Sequence, residues 1–259
     1  MRTVVRSSPM QDILSDLAPE DYRFLIGIIQ GPLKPCTSLK ADVEELVASQ
    51  SEGVRRRLVS SLENEIRYLG SSDLAYQFRR AMGQVPGRSF RSIVKDTARY
   101  LKVPLPTMNT ERAMVTFLAQ DYATQQFGQL PENQQQRILE ELGVERERAL
   151  TFLKKASGVF AGPVLIEAFG LVVVQGLIKT VLFGMVAKTI GRQLAVRLFA
   201  YLFARVPWWA GWISPAAWTL SLSWAALNLQ GPARRKTVPI VLFLGMCCLR
   251  DGAEAADYI

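Results

Sequence analysis

Apolar residues recur over the first 156 positions at intervals of three and four, the spacing of helices that bury one face. The stretch "SPMQDILSDLAPEDYRFLIGIIQGP" predicts two short helices, the second carrying Phe24, Leu25, Ile28 and Ile29 and ending before Gly31 and Pro32. In "VRRRLVSSLENEIRYLGSS", Leu58, Val59, Leu62, Ile66 and Leu69 share a face, and Gly70 stands where a glycine favours helix termination. The opposite face, with Arg56, Glu63 and Arg67, is expected to be solvated. "RSFRSIVKDTARYLKVPLP" repeats the pattern, with Ser89 as a candidate N-cap and Phe90, Ile93, Val94, Thr97 and Leu101 along one side. Pro104 and Pro106 follow its end. Further helices are predicted over 110–127, 131–142 and 145–156, and no period-two run supports a sheet. The predicted fold class is all-α.

After residue 157 the texture changes. "VFAGPVLIEAFGLVVVQGLI" is twenty residues with a single charge, Glu167, and residues 206–233 carry none. The uncharged run exceeds the roughly 20 residues a helix needs to cross a bilayer, but Pro207, Pro215 and several glycines divide it. As helices, residues 163–178 and 216–229 would be about 24 and about 21 Å long, short of a hydrocarbon core about 30 Å thick. A hairpin or an interfacial segment suits those lengths better than a series of ideal spans. On one continuous helix Lys179 and Arg197 would share an azimuth with Lys188 and Arg192 nearly opposite, so either a break near Gly184 or Gly191 or basic side chains that snorkel from different sides are expected. The predicted organisation is a soluble multi-helix N-terminal domain over 1–156, a hydrophobic helical-hairpin C-terminal domain over 157–250, and a polar tail over 251–259.

Charge sharpens this division. The chain has 31 Lys and Arg against 23 Asp and Glu, a net +8. Between Ala168 and Arg250 the sequence contains nine basic residues and no acid. A basic, apolar segment suits anionic lipid head groups better than nucleic acid, whose partners display Lys and Arg on polar surfaces, so no nucleic-acid partner is expected. The chain has no histidine, which excludes histidine triads, histidine metal ligands and a histidine pH switch. Its three cysteines, Cys36, Cys247 and Cys248, form no CxxC pair, and adjacent Cys247 and Cys248 are expected to be small buried apolar residues. The opening "MRTVVRSSPMQDILSDL" contains no apolar signal core, so a protein of the cytoplasm and the inner membrane is expected.

All five tryptophans, Trp208, Trp209, Trp212, Trp218 and Trp224, fall within seventeen positions. Indoles favour the membrane interface, so these are candidate interfacial anchors, with Arg205, Arg234, Arg235 and Lys236 as candidate head-group contacts. A tryptophan-rich protein core is the rival reading. Glu167 and Lys179 are candidate polar groups within the apolar half, and Glu167 reads equally well as an acid near a helix N-terminus. Glu63 and Glu65 point about 200° apart on a helix, and the arginines at 55–57 and 79–80 are not specific to any ligand. Phosphate-loop, dinucleotide, nucleophile-elbow and zinc patterns do not occur. No catalytic residue, cofactor or metal is expected, and the protein is expected not to be an enzyme.

Two stretches carry a family resemblance. "ENEIRYLGSSDLAYQFRRAMGQVPGRSFRSIVKDTARYLKVP" and "WTLSLSWAALNLQGPARRKTVPIVLFLGMCCLR" resemble, in order and spacing, segments of the bacterial YaaW-like family, and "DYRFL" is similar to its opening motif. The matching positions are Glu65, Gly70, Arg79, Asp96, Leu101, Lys102, Val103, Trp224, Gly231, Pro232, Ala233, Arg235, Thr237, Pro239, Leu249 and Arg250. Ser71, Phe90 and Arg234 depart from the family pattern, which makes this a divergent member. The resemblance implies a link to ubiquinol–cytochrome c chaperone-like proteins. The expected function is therefore non-enzymatic: C-terminal helices that insert into the inner membrane, conditionally permeabilising it. The alternatives are a membrane-anchored assembly factor for a respiratory complex and a soluble helical binding module. Expected partners are anionic lipid, a protein client or regulator, and a second copy of the chain.

Overall fold

The computed structural model describes residues 8–30, 36–71, 87–156, 160–190 and 234–250, and among these every regular element is a helix. The all-α reading is therefore correct. Local chemistry starts several of the helices. The helix α1 (Pro9–Ser15) begins with a capping box, the Ser8 hydroxyl accepting from the Gln11 amide at 3.2 Å while Gln11 reaches back to the Ser8 N–H. In α2 (Pro19–Ile29) Asp21 accepts from the Ala18 N–H at 2.9 Å and proline again holds the first turn. Next come α3 (Thr37–Ser49) and α4 (Glu52–Leu69), with Gly70 at the C-cap of α4. Ser89 caps α5 (Phe90–Leu101) and Thr110 caps α6 (Glu111–Gly128), each through its side-chain oxygen. The chain continues through α7 (Glu132–Glu141), α8 (Arg146–Ala156), α9 (Gly162–Phe169) and α10 (Leu171–Ile190), and α11 (Arg234–Arg250) is the last described helix.

The predicted buried faces of α4 and α5 are observed as Leu58, Val59, Leu62 and Ile66 on one, with Leu69 at its end only partly buried, and Phe90, Ile93, Val94, Thr97 and Leu101 on the other. Both pack into a core whose centre comes from the far end of the sequence. Every residue of α11 over 237–248 is buried. A helix that is apolar all round must be covered all round. Here α6 and α10 cover most of it, with α5, α2 and α4 on the remaining sides. Phe243 stacks on Phe24 of α2 with ring centroids 4.3 Å apart. At Gly245 the backbones approach so closely that a Cβ would stand 2.4 Å from the Val115 carbonyl oxygen of α6. The 234–250 helix, assigned by sequence to the hydrophobic domain, thus sits among helices assigned to the N-terminal one.

That arrangement corrects the functional expectation. Among the described residues no helix is long and apolar enough to cross a membrane. The longest helix, α10, carries Lys179 and Lys188 and places Val174, Leu177, Ile178, Val181 and Leu182 in the protein core. Leu165 and Phe169 of α9, Val174, Leu177, Ile178, Val181 and Leu182 of α10 and residues 237–248 of α11 are covered by protein, so insertion into the inner membrane, whether as a permeabilising effector or as an anchor, is not what the described helices are built for. Of the predicted helical-hairpin domain over 157–250, residues 157–159 and 191–233 lie outside the described residues.

Candidate functional site

The sequence-predicted site residues part company in the structure. Trp208, Trp209, Trp212, Trp218, Trp224 and Arg205 lie outside the described residues. Arg234 and Arg235 open α11, and Lys179 belongs to α10. Lys236 is half-buried, and its ammonium donates to the Ile29 carbonyl at the C-terminal end of α2. A cation at a helix C-terminus complements the dipole and satisfies an orphan carbonyl, so this contact holds α11 against α2. Glu167 is on the exposed side of α9. Glu167 and Lys236 therefore serve different helices and different surroundings.

One polar group read as surface charge is internal. Glu63 is 6% exposed rather than solvated. Its carboxylate accepts from the Ser8 hydroxyl at 2.8 Å, the Gln11 side-chain amide at 2.7 Å and Arg67 at 3.3 Å. The N-terminus of α1 docks on the charged side of α4, and the buried carboxylate is tolerated because donors surround it. Arg55 donates to the Ser15 and Leu17 carbonyls at 3.0 and 3.1 Å and to the Tyr22 hydroxyl at 3.4 Å, which ties the α1–α2 turn to α4. Arg57 pairs with Asp42 and Glu45 of α3, leaving Arg56 as the outward member of the triplet. These arginines act within the fold.

Burial also marks Tyr22, Tyr122 and Asp121. Desolvation pushes the Tyr22 phenol up to about 12, partly offset by Arg55, and raises Tyr122 further. Asp121 on α6 is raised by desolvation and lowered in part by the Gln125 amide that donates to it at 2.6 Å. Among the described residues no group of three His, Cys, Asp or Glu could hold a metal ion. Cys36, Cys247 and Cys248 are buried free thiols.

The feature that points outward is apolar. Four large hydrophobic side chains are exposed among the described residues, and three of them, Val164, Leu171 and Val172, flank one corner. Leu171 and Val172 are 54% and 73% exposed. The corner is turned by Gly170 at φ 85° and ψ 161°, backbone that essentially only glycine adopts. Beneath it lies an aromatic platform. Phe152 meets the Phe169 ring edge-on at 4.6 Å and lies 6.0 Å from Phe160, which meets Phe127 at 5.3 Å. Arg148 of α8 stands 5.9 Å over the Phe169 ring and donates to the Ala168 carbonyl, closing the end of α9. The result is an exposed apolar knuckle on a packed base. The sequence contained one trace of it, a glycine inside an apolar run followed by Leu-Val.

Comparison with family models, with curated proteins and with solved structures finds no match for this chain.

Proposed function

We propose that this protein is a non-enzymatic helical binding module that receives an apolar segment of a client protein on the α9–α10 corner. The observation that carries this reading is the exposure of Leu171 and Val172 just past Phe169, whose ring packs edge-on against Phe152. A large aliphatic side chain in water gains about 1.5–3 kcal/mol when fully covered, and presenting it from packed structure avoids the ordering cost of binding. Clustered exposed apolar residues on an otherwise well-packed fold mark contact sites. The resemblance to the YaaW-like family, with its link to chaperone-like proteins, points the same way. The site takes a client by apolar coverage, with Glu167 and Arg148 at its polar rim.

The test uses reduced, unfolding α-lactalbumin as a surrogate client and follows aggregation by light scattering. The full chain is expected to suppress scattering, the Leu171→Glu/Val172→Glu variant to lose most of that effect, and Val47→Glu, at the other exposed apolar position, to retain it. Suppression by the double variant equal to that of the unmodified protein, with its helical circular dichroism intact, overturns the reading.

A further inference from the structure

Half of the chain's net charge of +8 resides in sixteen residues. Residues 87–102 hold Arg88, Arg91, Lys95, Arg99 and Lys102 against one acid, Asp96. The buried face of α5, Phe90, Ile93, Val94, Thr97, Ala98 and Leu101, fixes the helix's rotation and so decides which of these charges point outward. Arg91 turns inward, to Glu111 at 3.2 Å and to the Met108 and Asn109 carbonyls at 3.2 and 2.8 Å. Lys95, Arg99 and Lys102 are exposed, with the Arg99 side chain at 80%, and Arg88 is half-exposed before the first turn. Lys95 and Arg99 share one face of α5 a turn apart, Arg88 stands just before the N-cap and reaches Asp96 of the same helix, and Lys102 is the left-handed C-cap at φ 59°. Asp96 is shared, accepting from Arg88 and, at 3.1 Å, from Arg99. Four outward cations therefore face one carboxylate.

We propose that this basic patch docks an acidic helical segment of a partner protein. Two observations select that chemistry. The structure already seats a carboxylate between Arg88 and Arg99, leaving several of their N–H donors for further oxygens. Along the axis, Lys95 and Arg99 are about 6 Å apart at 1.5 Å per residue with Lys102 following at the C-cap, a spread that a second helix carrying acids four and three residues apart can meet. The patch is separate from the α9–α10 corner and does not depend on its role. Charged contacts of this exposed kind mainly set association rate, salt sensitivity and partner choice.

The experiment measures fluorescence anisotropy of a labelled alanine-based helical peptide with glutamates at those intervals, titrated with the full chain at low salt. A glutamine version of the peptide and a labelled oligodeoxythymidylate serve as comparisons. Saturable binding of the glutamate peptide, weakened about tenfold or more between about 0.05 and 0.2 M salt, supports the proposal. Arg99→Glu/Lys102→Glu is expected to weaken it at least tenfold, while Arg146→Glu, an equally exposed arginine on α8, leaves it within twofold. No binding of the glutamate peptide at low salt overturns the proposal. So does equal binding of the glutamine peptide, indifference to the double reversal in a variant with unchanged circular dichroism, or preference for the oligonucleotide, which would make the patch a phosphate-binding face.

Discussion

Replacing Gly245 by alanine tests the most consequential packing contact in the molecule, the crossing of α11 over α6. A Cβ at position 245 would lie 2.4 Å from the Val115 carbonyl oxygen, 3.1 Å from the Val115 carbonyl carbon and 2.7 Å from the Ala119 Cβ. Two of the three obstacles are backbone and the third is the stub of an alanine, so no side chain can swing aside. The helices must separate, loosening the contacts of a helix buried over 237–248. Overpacking of a well-filled core costs about 1–3 kcal/mol and more where backbone must move, against a helix-propensity gain of up to about 1 kcal/mol for Gly→Ala. A net destabilisation of about 2–4 kcal/mol is expected. Gly53→Ala in α4 is the matched control: its Cβ would meet nothing closer than the Ser51 hydroxyl at 3.6 Å, so the propensity gain should stand alone and stability should rise by a few tenths to about 1 kcal/mol. Urea denaturation followed by circular dichroism measures both. If Gly245→Ala unfolds within about 0.5 kcal/mol of the parent protein, α11 does not cross α6 at this distance, and the account of the core is wrong.

Two further predictions concern buried polar groups. Glu63→Ala removes the acceptor of Ser8, Gln11 and Arg67 and should cost about 2–3 kcal/mol, with faster proteolysis ahead of α1; unchanged stability and unchanged cleavage would mean that the α1 junction contributes nothing. Tyr22 has a folded-state pKa of about 12 against an ordinary 10, so its neutral form stabilises the fold, fully below pH 10 and progressively less as pH rises from 10 through 12. Two pKa units correspond to about 2–3 kcal/mol. Tyr22→Phe should cost about 1 kcal/mol near neutral pH, through the lost 2.7 Å bond to the Leu14 carbonyl, yet lose less stability than the parent on going to pH 11.5. Parallel loss of stability in the two proteins, read as urea midpoints across that range, would show that Tyr22 is not held neutral by burial.

How far the sequence reaches is visible element by element. The cap at Ser89 and the apolar stripes of α4 and α5 act within a few residues, so the identity of these helices and their buried faces were legible locally. Glu63 illustrates the limit. Its position opposite the apolar stripe reads as solvent until α1 arrives from fifty-five residues away to supply two of its donors. The α9–α10 corner is similar, since Leu171 and Val172 belong to an apolar run in which nothing local distinguishes the exposed members from the buried ones.

The sequence by itself determined an all-helical chain, where most of its N-terminal helices begin and end, and a concentration of apolar residues toward its C-terminal half. Tertiary structure alone decided what covers those apolar residues. A helix apolar on every side is equally compatible with surrounding lipid and with surrounding protein, because dispersion and the hydrophobic effect have no direction and depend on the area removed from water rather than on the chemistry that covers it. For α11 the cover is α6, α10, α5, α2 and α4, most of them distant in sequence. No local pattern encodes that choice; it exists only once the chain has closed around its own C-terminal helix.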